Sequence, residues 1–177
     1  MKPLIETPPR TIMEAYKSLP EGTLAEVIDN QIYMSPSPAY NHQDVLFEIA
    51  SQLRLNLKKS GGKVVISPFD VYLDETSNAV QPDIVVILKG NKGVLNYDGH
   101  FHGTPDILIE VLSPYNKEHD LVRKKDLCER FGVKEYWIVD PETKSSTIFE
   151  LTGSKFQLAF ESKAILKSKL LETSIVF

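Results

Sequence analysis

The sequence predicts an α/β (α+β) protein, a mixed β-sheet flanked by helices. Three observations predict it. Two near-continuous apolar runs, PDIVVIL (82–88) and PDILIEVL (105–112), have the character of central strands covered on both faces. Two stretches, about 41–59 and 118–131, carry apolar residues at helical spacing and are followed by glycine. The order helix, hairpin, long helix, strands, helix, strands mixes both types within 177 residues, a length suited to one domain over 1–177.

After Pro8 and Pro9 a short helix runs through Tyr16 and ends before Pro20. TLAEVID and QIYMS form two strands about Asp29-Asn30, a hairpin turn signal. Pro36 and Pro38 then break the chain. Val45, Leu46, Ile49 and Leu53 recur at helical spacing in the second helix, which Gly61-Gly62 ends. KVVIS and FDVYLD follow as strands, the second alternating Phe69, Val71 and Leu73 against Asp70, Tyr72 and Asp74. LKGNKGVLNYDGHFHG, between the two apolar strands, is rich in turn residues and expected as a loop. The third helix starts near Glu118 or His119, with Asp120 as its N-cap or first-turn acid, and stops at Gly132. EYWIVD is the next strand, ended by Pro141. SSTIFEL and KFQLAFES close the pattern as an outer hairpin near Thr152-Gly153.

Composition narrows the function classes. Hydrophobic residues make up 42% and charged residues 25%, an ordinary globular balance. No apolar stretch is long enough to cross a membrane. The first residues, MKPLIETPPRTIMEAYK, lack the apolar centre of a signal peptide, so a cytoplasmic location is expected. The single cysteine, Cys128, excludes an internal disulfide framework and a cysteine-based zinc cluster; a small buried hydrophobe is the expected role. A net charge of −4 argues against a protein that coats DNA, though not against an enzyme that meets nucleic acid locally.

Three acids belong to the two apolar runs: Asp83, Asp106 and Glu110. Asp106 and Glu110 share a strand face four residues apart, about 13 Å at strand rise. Two oxygen ligands of one cation lie within about 5 Å of each other. Asp106 therefore cannot share an ion with Glu110, whereas Asp83 can if the two strands are neighbours. A pair of hard oxygen ligands suits Mg²⁺ or Mn²⁺, and such an ion can polarise a phosphate and activate water. The bland alternatives are a turn aspartate after proline for Asp83 and a buried salt bridge for Glu110.

The helix after Glu110 offers a positive partner. With Leu121, Leu127, Cys128 and Phe131 taken as its buried residues, an angular step of about 100° per residue points their mean direction through Lys124. Lys125 falls near the edge of that face. An inward lysine needs a carboxylate, and Glu110 is the nearest upstream; snorkelling to water is the competing reading.

These residues resemble a known family. Pro82-Asp83, then Glu110-Val111-Leu112, looks like the signature of the PD-(D/E)XK nuclease superfamily, the restriction-endonuclease-like fold. The longer string PDIVVI, PDILIEVLSP and DLVRKKDLCERFGVKEYWIVDP is similar to a group of small bacterial proteins classed with restriction endonucleases, from about Glu26 through Pro141. The resemblance implies that Asp83 and Glu110 hold a divalent metal, Mg²⁺ (or Mn²⁺), while a lysine positions or activates the attacking water. Leu112 stands where the superfamily has that lysine, and in this group the lysine moves to the following helix, where Lys124 stands. Glu26 matches the group's early acid, with a solvent-facing strand residue as the alternative. His42 is expected as a satisfied structural histidine or, more sharply, a substrate contact. His100 and His102 are taken as loop residues, with metal binding the minor reading.

The implied activity is metal-dependent hydrolysis of DNA phosphodiester bonds, with DNA as partner and a homodimer suited to cutting two strands. The competing classes are a non-catalytic nuclease-fold binding or accessory module and a hydrolase of another phosphate ester. Lys58, Lys59 and Lys63, with Arg123, Lys125 and Arg130, form a basic track that could follow a phosphate backbone or be a solvated face.

Overall fold

The computed structural model of the protein describes residues 8–114 and 119–177. Helix α1 (Ile12–Lys17) precedes the hairpin of β1 (Ala25–Ile28) and β2 (Gln31–Met34). Helix α2 (Tyr40–Leu57) leads into β3 (Lys63–Ile66) and three short strands, β4 (Val71–Tyr72), β5 (Ala79–Val80) and the longer β6 (Ile84–Ile87). A small hairpin of β7 (Val94–Leu95) and β8 (Phe101–His102) comes before β9 (Ile107–Val111). A π-helical turn, His119–Lys124, runs into α3 (Lys125–Phe131), followed by β10 (Glu135–Val139), β11 (Ser145–Thr152) and β12 (Lys155–Lys163). The chain closes with β13 (Ile165–Ser168) and β14 (Thr173–Val176).

The two apolar runs are inner strands of a six-stranded mixed sheet in the order β12-β11-β10-β9-β6-β3. β9 and β10 are parallel; β6 runs antiparallel to β9. Side chains alternate across this sheet, so each strand serves two cores. Ile107, Ile109, Val111, Ile84 and Val86 pack with Val45, Leu46, Ile49 and Leu53 of α2. Leu108, Leu112, Val85, Tyr136 and Ile138 pack on the opposite face, against Leu127 and Cys128 of α3. Burial on both faces explains why β6 and β9 lack polar alternation.

A second six-stranded sheet, β2-β1-β5-β4-β8-β7, leans on the α3 side of the first through Ile28, Val71, Val80 and Phe101. Its β1–β2 hairpin closes on Asp29 and Asn30, with φ of 49° and 63°. Both angles are positive, as a two-residue turn between twisted antiparallel strands requires.

Three expectations need correction. FDVYLD contributes only the two-residue β4, and Tyr72, expected on a polar face, is buried against Met13 and Tyr16 of α1. A strand between two cores has no solvent face to alternate toward. The segment expected as a loop forms β7 and β8, and β8 pairs in parallel with β4. Strands this short leave no periodic signal. The third helix begins with a π turn rather than an α turn, so its angular step differs from the one assumed; Leu121 is half-buried and Val122 exposed. The cap expected of Asp120 involves a side chain outside the described residues.

The closing hairpin β13–β14 is held by an unanticipated buried acid. Glu135 accepts hydrogen bonds from Trp137 Nε1 at 2.8 Å, Ser168 Oγ at 2.8 Å and Leu170 N at 3.1 Å. Leu166 and Ile175 then complete the α2 core. Replacing Glu135 with alanine strips the acceptor from these buried donors, and the expected cost is about 3 kcal/mol of stability in urea unfolding. A change below about 0.5 kcal/mol, the range of ordinary surface substitutions, would show that Glu135 does not anchor the hairpin.

Candidate active site

Strand alternation decides where Glu110 points. Ile109 and Val111 face α2, so Glu110 shares the parity of Leu108 and Leu112 and faces α3. Lys124 stands where the π turn becomes α3, on the same face as Leu127 and Cys128 three and four residues on. That α-helical spacing turns Lys124 inward despite the π turn before it. Its Nζ lies 2.6 Å from Glu26 Oε1 and 2.9 Å from Glu110 Oε1, and its side chain is 3% exposed.

Glu26 is not a solvent-facing strand residue. It is 4% exposed on β1, and the Gln81 backbone N–H donates to its Oε1 at 2.6 Å. One helix residue thus ties the small sheet to the large one.

Asp83 is set beside Glu110 by register, since Ile84 pairs with Ile109 in the antiparallel β6–β9 ladder. Its Oδ2 accepts the Val111 N–H at 2.8 Å and lies 3.1 Å from His42 Nε2. His42 heads the buried stripe of α2 that continues through Val45, Leu46, Ile49 and Leu53. It is therefore both a core-facing histidine and the orienting partner of a carboxylate.

Glu26, His42, Asp83, Glu110 and Lys124 all line one cleft of about 440 Å³, with Val111, Ser113 and Gln81. All five residues singled out from sequence meet there. Gln81 and the Val111 N–H were not foreseen; they act through backbone groups, which side-chain patterns do not reveal. Asp106 lies away from the cleft, where Leu88 N, Asn91 Nδ2 and Lys134 Nζ each approach it within 2.7 Å. Burial pushes its pKa up, but the Lys134 bond and the other two outweigh that and hold the carboxyl below its ordinary range.

Other expectations are sorted by the same geometry. Cys128 is fully buried, and burial pushes its thiol pKa up, as befits a core hydrophobe. His102 belongs to strand β8 and bridges Glu75 at 2.5 Å and Asp98 at 2.9 Å on opposite ring nitrogens. Among the described residues no group of three or more His, Cys, Asp and Glu side chains is placed to hold a metal by itself. The basic track is partly spent: Arg130 pairs with Asp29 at 2.9 Å and Arg123 stacks on Tyr33 at 5.4 Å.

The donor set of the cleft fits a hard divalent cation. Glu26 and Glu110 share the Lys124 ammonium, and Asp83 stands beside them with His42. Asp83 and Glu110 supply oxygen from neighbouring chain segments, and among the described residues lining the cleft there is no thiol and no histidine besides His42.

No described helix is long and apolar enough to cross a membrane. A search of curated proteins finds no match for the chain. Among solved structures it is similar to a putative nuclease of the DUF820 group from Anabaena variabilis, with 19% identity, a TM-score of 0.74, and coverage of 93% of this chain and 92% of that one. At that identity the likeness concerns the fold, and it spans nearly all of both chains. A family model described as "Uma2: Putative restriction endonuclease" matches residues 13–173. That span includes every residue of the cleft cluster, and the chain belongs to the Uma2 family.

Proposed function

We propose that the protein is a divalent-metal-dependent endonuclease that hydrolyses DNA phosphodiester bonds. The observation that carries this reading is the buried Glu26–Lys124–Glu110 cluster with the half-buried Asp83 beside it at one cleft wall. Asp83 and Glu110 would hold Mg²⁺ or Mn²⁺. Bound there, the ion supplies Lewis acidity toward a phosphate oxygen and a water acidified for attack.

The chain's own residues do the rest. Lys124 is held between Glu26 and Glu110, so its ammonium is fixed without rotamer freedom. A fixed cation at a dry wall stabilises the negative charge that grows on the phosphoryl oxygens and can orient the attacking water. Glu26 positions Lys124, and the Gln81 N–H positions Glu26. His42 and the Val111 N–H hold Asp83 in one rotamer and leave its Oδ1 for a ligand. Lys124 can thus serve the role that Leu112 vacates two residues after Glu110. Both strands of a duplex are cut when two such sites meet, which a homodimer provides. Cytoplasmic DNA is the substrate this reading expects.

Plasmid DNA should be nicked in Mg²⁺ or Mn²⁺, and Asp83→Ala or Glu110→Ala should lower the rate by about 10²–10³-fold or more. Activity that survives both changes defeats the assignment, and DNA binding without cleavage by the wild type favours the accessory-module reading.

Calorimetric titration gives an independent check. Wild-type protein should bind Mn²⁺, and Asp83→Ala should abolish the heat of binding. His42→Ala should weaken the affinity by about 10- to 100-fold, the usual effect of losing a group that orients a metal ligand. Unchanged affinity in His42→Ala would mean that His42 is only a packing residue.

A further inference from the structure

A second cavity, of about 580 Å³, adjoins the cleft. Gly22, Pro68 and Gln81 line both. Gln81 is the partition: its backbone N–H donates to Glu26 on the cleft side, while its Nε2 donates to Asp70 Oδ1 at 2.7 Å on the other. A chain crossing the cleft with a phosphate at Asp83 and Glu110 would bring its neighbouring nucleoside to this opening.

The lining suits a flat ring. Phe69 and His100 are both half-buried, with ring centroids 6.4 Å apart and planes tilted by 45°. Leu19, Pro20 and Pro68 add apolar surface. Nucleobases stack on such surfaces once they leave their own stack.

The lining carries more acid than base, which disfavours a phosphate. Asp70, Glu21 and Asp98 line the cavity, against Lys17 and His100. Lys17 is already paired with Glu75 at 3.3 Å. Asp70 is the polar centre: Tyr16 Oη donates to its Oδ1 at 2.9 Å, alongside Gln81. Burial, and then the Asp70 charge, push the Tyr16 pKa up, so its hydroxyl stays a donor. Asp70 Oδ2 is 3.7 Å from His100 Nδ1, beyond hydrogen-bond reach, and that ring nitrogen is buried without a hydrogen-bond partner among the described residues. A carboxylate oxygen at the cavity wall accepts from an amino group and repels a carbonyl oxygen.

We propose that this cavity receives an unstacked nucleobase beside the scissile phosphate, and that Asp70 selects bases carrying an amino group over thymine. This rests on the nuclease reading above and specifies its substrate: DNA with an unpaired or extruded base next to the cut. The pairing follows ordinary base chemistry, in which a carboxylate accepts from the cytosine amino group.

The test measures binding, so that it does not depend on cleavage. Fluorescence anisotropy with labelled oligo(dC) and oligo(dT), in Ca²⁺ as an oxygen-seeking cation, should show oligo(dC) bound about tenfold tighter by the wild type, the worth of one charged hydrogen bond. Asp70→Asn keeps an oxygen for Tyr16 and Gln81 but replaces an acceptor with a donor. It should erase or invert the preference. Equal wild-type binding of the two oligomers, or an Asp70→Asn change that weakens both equally, overturns the subsite. The nuclease reading itself stands or falls on the Asp83 and Glu110 variants, so the two failures are separable.

Discussion

The fold depends on the buried ammonium of Lys124 and the two carboxylates that share it. Glu26 comes from the small sheet, Glu110 from the large one, and Lys124 from the helix that follows. None of the three is tolerable alone at this depth. Removing one member of such a set costs about 3–5 kcal/mol, mostly through the charge left behind. The cluster therefore fixes how β1, β9 and the start of α3 meet, and the cleft is the opening at that junction. In the proposed mechanism the same constraint would keep the lysine, pinned between carboxylates, from relaxing away from a developing charge.

Much of this was legible in the chain. A glutamate inside DILIEVL has few explanations, and strand spacing alone removes Asp106 as its metal partner. Structure adds the reason: Asp106 meets Lys134, Asn91 and the Leu88 N–H instead. Lys124 was recoverable from the apolar spacing of Leu121, Leu127, Cys128 and Phe131, even though the turn before it is π-helical and Leu121 is only half-buried. The Asp29-Asn30 turn gave its hairpin correctly because two adjacent positive φ values favour those residue types.

What the sequence concealed has physical causes. β4, β5, β7 and β8 are two residues each, too short for any periodicity. Glu135 lies in the strand EYWIVD with no local signal of burial, because its partners Ser168 and Leu170 lie more than thirty residues downstream. Gln81 belongs to no motif in the sequence. Its importance lies in its position: backbone to Glu26, side chain to Asp70, one cavity on each side.

The overall net charge of −4 is compatible with a DNA substrate once charge is viewed locally. In the proposed reading, a divalent cation held at Asp83 and Glu110 would supply the local positive charge that attracts a phosphate. In the proposed base subsite, the acidic lining of the side cavity would favour base edges over backbone. The most direct test of the account is anomalous scattering from crystals soaked in Mn²⁺. It predicts one strong peak between the Asp83 and Glu110 carboxylates, beside Lys124 Nζ. A site that stays empty at saturating Mn²⁺, with Lys124 alone compensating Glu110, would contradict it.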